Sequence, residues 1–262
     1  MIIKNIRVMF YEYWTNTIEL VQYRKAIISE IITFFLSFIV ILVFSDKGSF
    51  ISYYGVQENS SVLIILIGFI YWNFGNICMG YASSVIAGDA KTGMLEIKIQ
   101  SITPYFLLVF ADMLVSLFIG ITTLLLVLLY LSFTNDFYFS DLIKVIEILI
   151  IQIPSIIGMY GIGLLFGGIS FKEKQIGQYV SLFSIVLLFI SNTLIPTTYK
   201  IIYLIPFTSG VDISRDVITQ HKLNFNLIIT YITINIFWLF IGIVFFKFME
   251  KKEKYSGGFN NY

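Results

Sequence analysis

Charged residues gather in one short polar stretch, GDAKTGMLEIKIQSITP, at residues 88–104, between two strongly apolar runs. Asp89, Lys91, Glu96 and Lys98 bring groups of both signs into this stretch. Such groups form charge-assisted hydrogen bonds with a complementary surface. The stretch therefore predicts either a contact for another protein or an ordinary polar loop.

The residue inventory argues against catalysis by this chain. His221 is the only histidine and Cys78 the only cysteine, which excludes a two-histidine zinc site, a disulfide within the chain and the usual histidine-based triad. No Gly-x-x-x-x-Gly-Lys-Ser/Thr phosphate loop occurs, and YSGGF near the end only superficially resembles an ATPase signature. We expect neither an enzyme nor a cofactor bound by this chain.

Ionisable residues are almost absent from the middle of the apolar runs, which disfavours an ion-driven carrier. Glu30 and Asp112 lie a turn or so inside one edge of their runs, and Glu147 about as far inside the other edge. For Asp112 two interpretations stand, a structural contact between helices and a direct role in transport.

The overall composition is that of an integral membrane protein. Of 262 residues, 58% are hydrophobic, 18% aromatic and 13% charged, with a mean hydropathy of +0.87. The net charge of +1 gives no reason to expect a nucleic-acid partner. Membrane lipids are the expected surroundings.

Apolar segments long enough to cross a hydrocarbon core of about 30 Å, which takes roughly 20 helical residues, recur along the chain. Continuous apolarity without alternation excludes barrel strands, so the predicted fold is an all-α membrane bundle. We predict an interfacial region at 1–25, a six-span domain at 26–248 and a disordered tail at 249–262. The six predicted spans are 26–44, 62–87, 105–133, 142–170, 178–194 and 227–248.

Basic residues flank these segments unevenly. Twelve of the seventeen Lys and Arg residues fall on one side if the N-terminus is cytoplasmic, which predicts both termini inside. Apolar residues recur at helical spacing before the first span, which predicts an amphipathic helix in the membrane interface. Its apolar face comprises Ile2, Ile6, Met9, Phe10, Tyr13, Trp14 and Ile18.

Two further regions have an open interpretation. The outer stretch at 195–226 contains Pro196 and Pro206 and is apolar enough for a re-entrant hairpin, with a surface loop as the alternative. The second span mixes polar tips with aromatic faces, which predicts either a route for an amphiphile or core packing. The residues of this candidate route are Tyr71, Trp72, Asn73, Phe74, Asn76 and Tyr81.

Gly163 and Gly167 form a small-xxx-small pair that favours helix packing within one subunit over a dimer seam.

The charged stretch resembles a motif of type-2 ATP-binding-cassette (ABC) exporter permeases. In that family the second span leads into a short cytoplasmic helix with a charged turn, a glycine, a leucine and a glutamate, and then a proline before the third span. Asp89 and Lys91 only loosely represent the usual Arg-Glu pair, and Met94 stands where threonine is common. The matching residues are Gly93, Leu95, Glu96 and Pro104.

The remaining features also resemble this family. LIPFTSGVDISRDVI is similar to its outer Pro-aromatic and later Arg pattern through Pro206, Phe207 and Arg215. The resemblance implies a coupling helix that sits in a groove of a separate ATPase and transmits ATP-driven closure. The implied coupling residues are Asp89, Lys91, Gly93, Met94, Leu95, Glu96 and Lys98.

The resemblance also implies a complex and a cargo. The implied complex contains two copies of the ATPase, which bind ATP and Mg, and a second permease that is identical or similar. The expected cargo is a hydrophobic or amphipathic peptide, toxin or drug, exported across the plasma membrane. Separately, a composition rich in Ile, Lys, Asn, Phe and Tyr is compatible with a low-GC bacterium. The alternative is a non-transporting scaffold or immunity protein that binds a partner through its cytoplasmic face.

Overall fold

The computed structural model describes residues 2–45, 47–55, 58–134, 137, 141–173, 176–194, 199–219 and 224–256, which form helices and no strands. Their order follows the alternation of apolar and polar segments in the sequence. The helices are α1 (Ile2–Gln22), α2 (Arg24–Phe44), α3 (Lys47–Tyr54), α4 (Glu58–Thr92), α5 (Met94–Ile99), α6 (Tyr105–Phe133), α7 (Leu142–Ser170), α8 (Ile176–Ile190), a 3-10 helix (Lys200–Leu204), α9 (Thr208–Ile218) and α10 (Phe225–Ser256).

Five of these helices are long and apolar enough to cross a membrane, namely α2, α4, α6, α7 and α10. The predicted fifth span, 178–194, coincides with α8, which has 15 residues. At 1.5 Å per residue α8 extends about 22 Å, less than the hydrocarbon core. The chain leaves the helix at Ser191, and Asn192 adopts a left-handed φ of 63°. The fold is all-α with five candidate membrane-spanning helices.

Helix α4 forms the centre of the bundle. It packs against α2, α3, α6, α7, α8 and α9, and 94% of the residues in its most apolar window are buried, against 11% in α2 and 17% in α10. Helices α2 and α10 are at least as apolar as α4, with window hydropathies of 2.7 and 2.3 against 1.9, because lipid also covers an apolar helix. The contacts of α4 with its neighbours, rather than its apolarity, therefore place it at the centre.

The glycines of α7 allow two neighbouring helices to approach closely. Gly163 and Gly167 face α4, where a Cβ atom on Gly163 would lie 2.6 Å from the carbonyl oxygen of Cys78. A Cβ atom on Gly167 would lie 3.0 Å from the Cβ of Ala82. This small-xxx-small pair therefore packs within the chain, and α10 packs along other glycines of α7.

We predict that Gly163→Ala destabilises the fold. The new methyl group would overlap a backbone oxygen that no side-chain rotation can move, and overpacking of this kind costs about 1–3 kcal/mol. The measurement is the free energy of unfolding in mixed micelles. Gly177→Ala is the matched control, because no heavy atom lies within 4 Å of the added carbon. Equal stability of the two variants would contradict the α4–α7 packing.

A tyrosine of α10 hydrogen-bonds to the backbone of α7 next to Pro154, the proline inside that helix. Proline lacks an N–H and disturbs the preceding helical turn. The Tyr231 hydroxyl donates to the carbonyl oxygen of Ile151 at 2.8 Å and accepts from the N–H of Ser155 at 3.1 Å. This contact fixes α10 against α7 in the apolar interior.

Candidate functional site

The predicted coupling segment forms the end of one helix and the start of another. Helix α4 continues to Thr92, so Asp89 and Lys91 lie on its last turns. Gly93 has a left-handed φ of 73°, which glycine adopts without strain, and it redirects the chain into α5. Pro104 then precedes the first residue of α6. Gly93, with its permissive backbone, and Pro104, with its restricted one, thus position α5 between α4 and α6.

Lys98 joins three carboxylates from three other helices. Its Nζ atom lies 2.7 Å from Glu12 of α1, 3.0 Å from Asp89 of α4 and 3.8 Å from Asp112 of α6. Asn16 of α1 donates its side-chain amide to Asp112. We call Glu12, Asp89, Lys98 and Asp112 the Lys98 cluster. It ties α1 and α5 to the ends of α4 and α6.

The surroundings of Lys98 keep it protonated. Burial alone would lower its pKa, but the nearby carboxylates of Asp112, Glu12 and Asp89 outweigh burial and raise the pKa above its ordinary value of 10.5. A raised pKa in the folded state contributes stability that is fully present below the unfolded-state value and is lost as pH rises through the folded-state value. Lys98 therefore keeps its positive charge throughout the neutral range.

One face of α5 and the loop after it point away from the chain. Leu95 and Ile99 are buried, whereas Met94 is 43% exposed, Ile97 65% and Ile102 78%. Lys91 and Glu96 are also exposed. Of the four charged residues predicted to contact a partner, Asp89 and Lys98 form an ion pair with each other within the chain. The outward surface, here called the α5 face, comprises Lys91, Met94, Glu96, Ile97 and Ile102.

The residues of the candidate route divide into two groups. Tyr71, Trp72, Asn73 and Phe74 are buried in the bundle, where the Tyr71 hydroxyl lies 2.9 Å from Ser214 Oγ. The indole N–H of Trp72 donates to the carbonyl oxygen of Ser184 at 3.1 Å. Core packing therefore accounts for this first group. The other two, Asn76 and Tyr81, are half-buried and line a cleft.

This cleft lies between α2, α4 and α8 and has a volume of about 940 Å³. Its walls include several small or polar residues that our sequence interpretation missed. The signal was present in α4, where Asn76, Gly80, Ser84 and Gly88 recur at every fourth position and all line the cleft. Such spacing puts residues on one helix face.

A second cavity, of about 560 Å³, lies beneath α1. Its lining includes the whole Lys98 cluster together with Glu19. Tyr81 and Gly88 line both spaces, so the cleft and this cavity adjoin each other. Asp112 thus makes a structural contact between helices and also faces a cavity.

At the opposite end of the bundle, the predicted re-entrant segment forms the 3-10 helix and α9. Phe207 is 1% and Arg215 0% exposed, while Pro196 lies outside the described residues. Pro206 accepts a hydrogen bond on its carbonyl oxygen from the Asn235 amide at 2.9 Å. The sequence predicts Arg215 on the outer side of the membrane but does not indicate that it is buried.

Arg215 is the centre of a buried hydrogen-bond network. It donates to the carbonyl oxygens of Ile64 at 3.3 Å and of Asn192 at 2.8 Å, and to the Tyr54 hydroxyl at 3.2 Å. Its guanidinium also lies 4.8 Å from the ring centre of Phe50, within the range of a cation–π contact. These partners come from α3, α4 and the turn after α8.

The carboxylate of Asp212 completes this network. It accepts hydrogen bonds from the Tyr54 hydroxyl at 2.9 Å, the Asn192 amide at 2.6 Å and the Tyr203 hydroxyl at 2.9 Å. Burial raises the pKa of Asp212, an effect that the positive charge of Arg215 partly offsets. Burial also raises the pKa of Tyr54 to about 12. We call Tyr54, Asn192, Tyr203, Asp212 and Arg215 the Arg215 cluster.

No protein-family model matches this chain, and no curated protein matches it in sequence. Among the residues that the structure describes, no group of three or more His, Cys, Asp or Glu side chains could hold a metal ion. The features that point to a function are the α5 face, the Lys98 cluster behind it and the cleft beside it.

Proposed function

We propose that this chain is the permease subunit of an ABC exporter, paired with an identical or similar permease and driven by two copies of a separate ATPase. The observation that carries the proposal is the arrangement of α5, which presents Glu96 and Ile97 outward while Lys98 and Leu95 fix it to the bundle. A helix fixed on one side and exposed on the other transmits a push from a bound partner as a rigid-body shift.

The Lys98 cluster connects α5 to its neighbouring helices and would transmit that shift to them. Asp112 and Lys98 connect α5 to α6, and Glu12 connects it to α1. The end of α10 also reaches α5, since Lys254 donates to the carbonyl oxygen of Ile99 at 3.4 Å. A displacement of α5 would therefore reach three candidate spanning helices, α4, α6 and α10, and the amphipathic α1.

The proposed topology has six crossings and both termini in the cytoplasm of a bacterial cell. In this arrangement α8 and the residues that follow it form the fifth crossing, and the α5 face lies in the cytoplasm where an ATPase is accessible. Two observations support it, the excess of Lys and Arg on that side and the position of α1, whose Phe10 and Trp14 are 62% and 57% exposed toward the surroundings of the bundle.

The proposed cargo is hydrophobic or amphipathic, a class that includes peptides, toxins and drugs. The cleft supports this class because it opens beside the α5 end of α4 and combines apolar side chains such as Ile77 with polar ones such as Asn76. Sites for amphiphiles combine a mostly apolar wall with a few polar groups that fix orientation.

The α5 face provides the test. Glu96→Ala should weaken retention of the ATPase on the solubilised permease by about tenfold or more, since hydrogen bonds to charged groups contribute about 1.5–3 kcal/mol. The measurement is the molar ratio of ATPase to permease after purification, together with ATP-driven efflux from vesicles that contain both proteins. Glu147→Ala, near the opposite end of the bundle, is the control. Unchanged retention and efflux in Glu96→Ala would contradict the coupling role of α5.

A further inference from the structure

We propose that the cleft between α2, α4 and α8 binds a cationic amphiphile whose positive group lies near Glu30. The inference rests on the proposed function and names the charge class of its cargo. Three properties of the described residues carry it, namely the polarity of the cleft walls, the balance of charges around the cleft and the aromatic rings at its edges.

The polar wall of the cleft requires hydrogen-bond partners that lipid tails lack. Asn76 and Ser84 of α4 and Gln178 of α8 line the space, and they lie among strongly apolar stretches. Polar groups in hydrocarbon cost free energy unless they are satisfied. Water or a ligand with polar groups satisfies them, so a cleft of about 940 Å³ suits an amphiphile better than an acyl chain.

Apolar residues line the same cleft. Phe34 of α2, Ile77 of α4 and Val180 of α8 contribute hydrocarbon surface to the same space. A ligand with an apolar body therefore buries surface against these residues, at about 25 cal/mol per Å². The cleft therefore offers contacts for both the polar and the apolar part of an amphiphile.

The charges around the cleft favour a cation. Among the described residues that line it, Glu30 is the one acidic residue, and Lys91, on the exposed last turn of α4, is the one basic residue. The adjoining cavity adds four carboxylates and a single lysine, Lys98, which already contacts three of them. Among the described residues, five acidic side chains thus face two lysines, and this excess of acidic groups favours a cation.

Aromatic rings lie beside this negative region. Phe34 is on the same helix as Glu30 and one turn further along, and Tyr81 lines both the cleft and the adjoining cavity. The faces of such rings attract cations, most strongly where water is excluded. A delocalised or alkylated cation fits this combination of Glu30 and aromatic rings.

Two probes of similar size and shape and opposite charge test the inference, the tetraphenylphosphonium cation and the tetraphenylborate anion. Binding is measured by calorimetric titration of the full chain in uncharged detergent, with protein-free micelles as the blank. We expect saturable binding of the cation that is about tenfold tighter than that of the anion, equivalent to about 1.4 kcal/mol. Tighter or equal binding of the anion would overturn the inference.

Substitutions of Glu30 locate the site. Glu30→Gln should weaken cation binding about tenfold and leave anion binding no weaker, whereas Glu30→Asp should keep the preference for the cation. Glu147→Gln, which removes a carboxylate elsewhere, should leave both affinities unchanged. If Glu30→Gln bound the cation as tightly as the unsubstituted protein, the assignment would be overturned. The Glu30→Asp protein controls for misfolding.

These outcomes separate the inference from the proposed function. Selective cation binding by a chain that never associates with an ATPase would support the cleft assignment and contradict the exporter proposal. An ATPase complex whose permease shows no preference for the cation would support the exporter proposal and contradict the charge class of the cargo.

Discussion

Replacing Arg215 with methionine should lower the free energy of unfolding by about 3–5 kcal/mol, the range observed when one partner of a buried charged network is removed. Methionine keeps much of the apolar volume but donates no hydrogen bond. The carbonyl oxygens of Ile64 and Asn192 would lose their donor, and the buried carboxylate of Asp212 would lose its compensating positive charge. The measurement is unfolding in mixed micelles, followed by tryptophan fluorescence.

The same substitution at an exposed arginine is the control. Arg24 lies exposed at the start of α2, where its side chain donates to the backbone oxygen of Val21 at 3.2 Å. Arg24→Met should change stability by no more than about 0.5 kcal/mol. If Arg215→Met were as stable as Arg24→Met, the Arg215 cluster would not stabilise the fold in the way described.

Lys98→Met should have the second-largest effect, a loss of about 2–4 kcal/mol, between the values for exposed and fully buried ion pairs. The lysine side chain is 14% exposed, and its removal would leave the carboxylates of Glu12, Asp89 and Asp112 close together without a cation. We also expect weaker retention of the ATPase, because α5 would no longer be fixed to α1 and α6. Unfolding free energy and ATPase retention are measured on the same preparation.

A second substitution distinguishes electrostatic repulsion from a general loss of packing. In Lys98→Met combined with Asp112→Asn, one of the repelling charges is gone, so part of the lost stability should return. Lys144→Met is the control, since Lys144 pairs with Asp141 but its side chain is 42% exposed. A loss for Lys98→Met no larger than that for Lys144→Met would contradict the role assigned to the Lys98 cluster.

Hydropathy predicted the long helices well because the bilayer imposes one simple requirement, a continuous apolar run of sufficient length. The predicted limits 105–133 and 142–170 coincide with α6 and α7. The prediction was less accurate for 178–194, where α8 ends at Ile190 and the next residues turn. The side chains of Ser191, Asn192 and Thr193 allow that turn, but hydropathy averaged over a window does not detect it.

The contacts of individual side chains were harder to predict. Nothing local in the sequence shows that Arg215 is buried, since its partners lie more than 20 residues away in the chain at Tyr54, Ile64 and Asn192. The inward orientation of the Lys98 side chain was likewise not predictable from the local sequence. It depends on the position of α1, which tertiary packing sets. The burial of Tyr71 and Phe74 was one of two open interpretations, because lipid covers an apolar helix as well as protein does.

Purification of the tagged chain from its native membrane in mild detergent, with mass identification of every bound protein, tests the central proposal most directly. The exporter proposal predicts a stoichiometric ATPase subunit that is retained by the unsubstituted chain and lost from the Glu96→Ala chain. A second permease in the same complex would show whether the pair is identical or mixed. Repeated gentle extractions that yield the chain without any ATPase would contradict the exporter proposal and favour a scaffold.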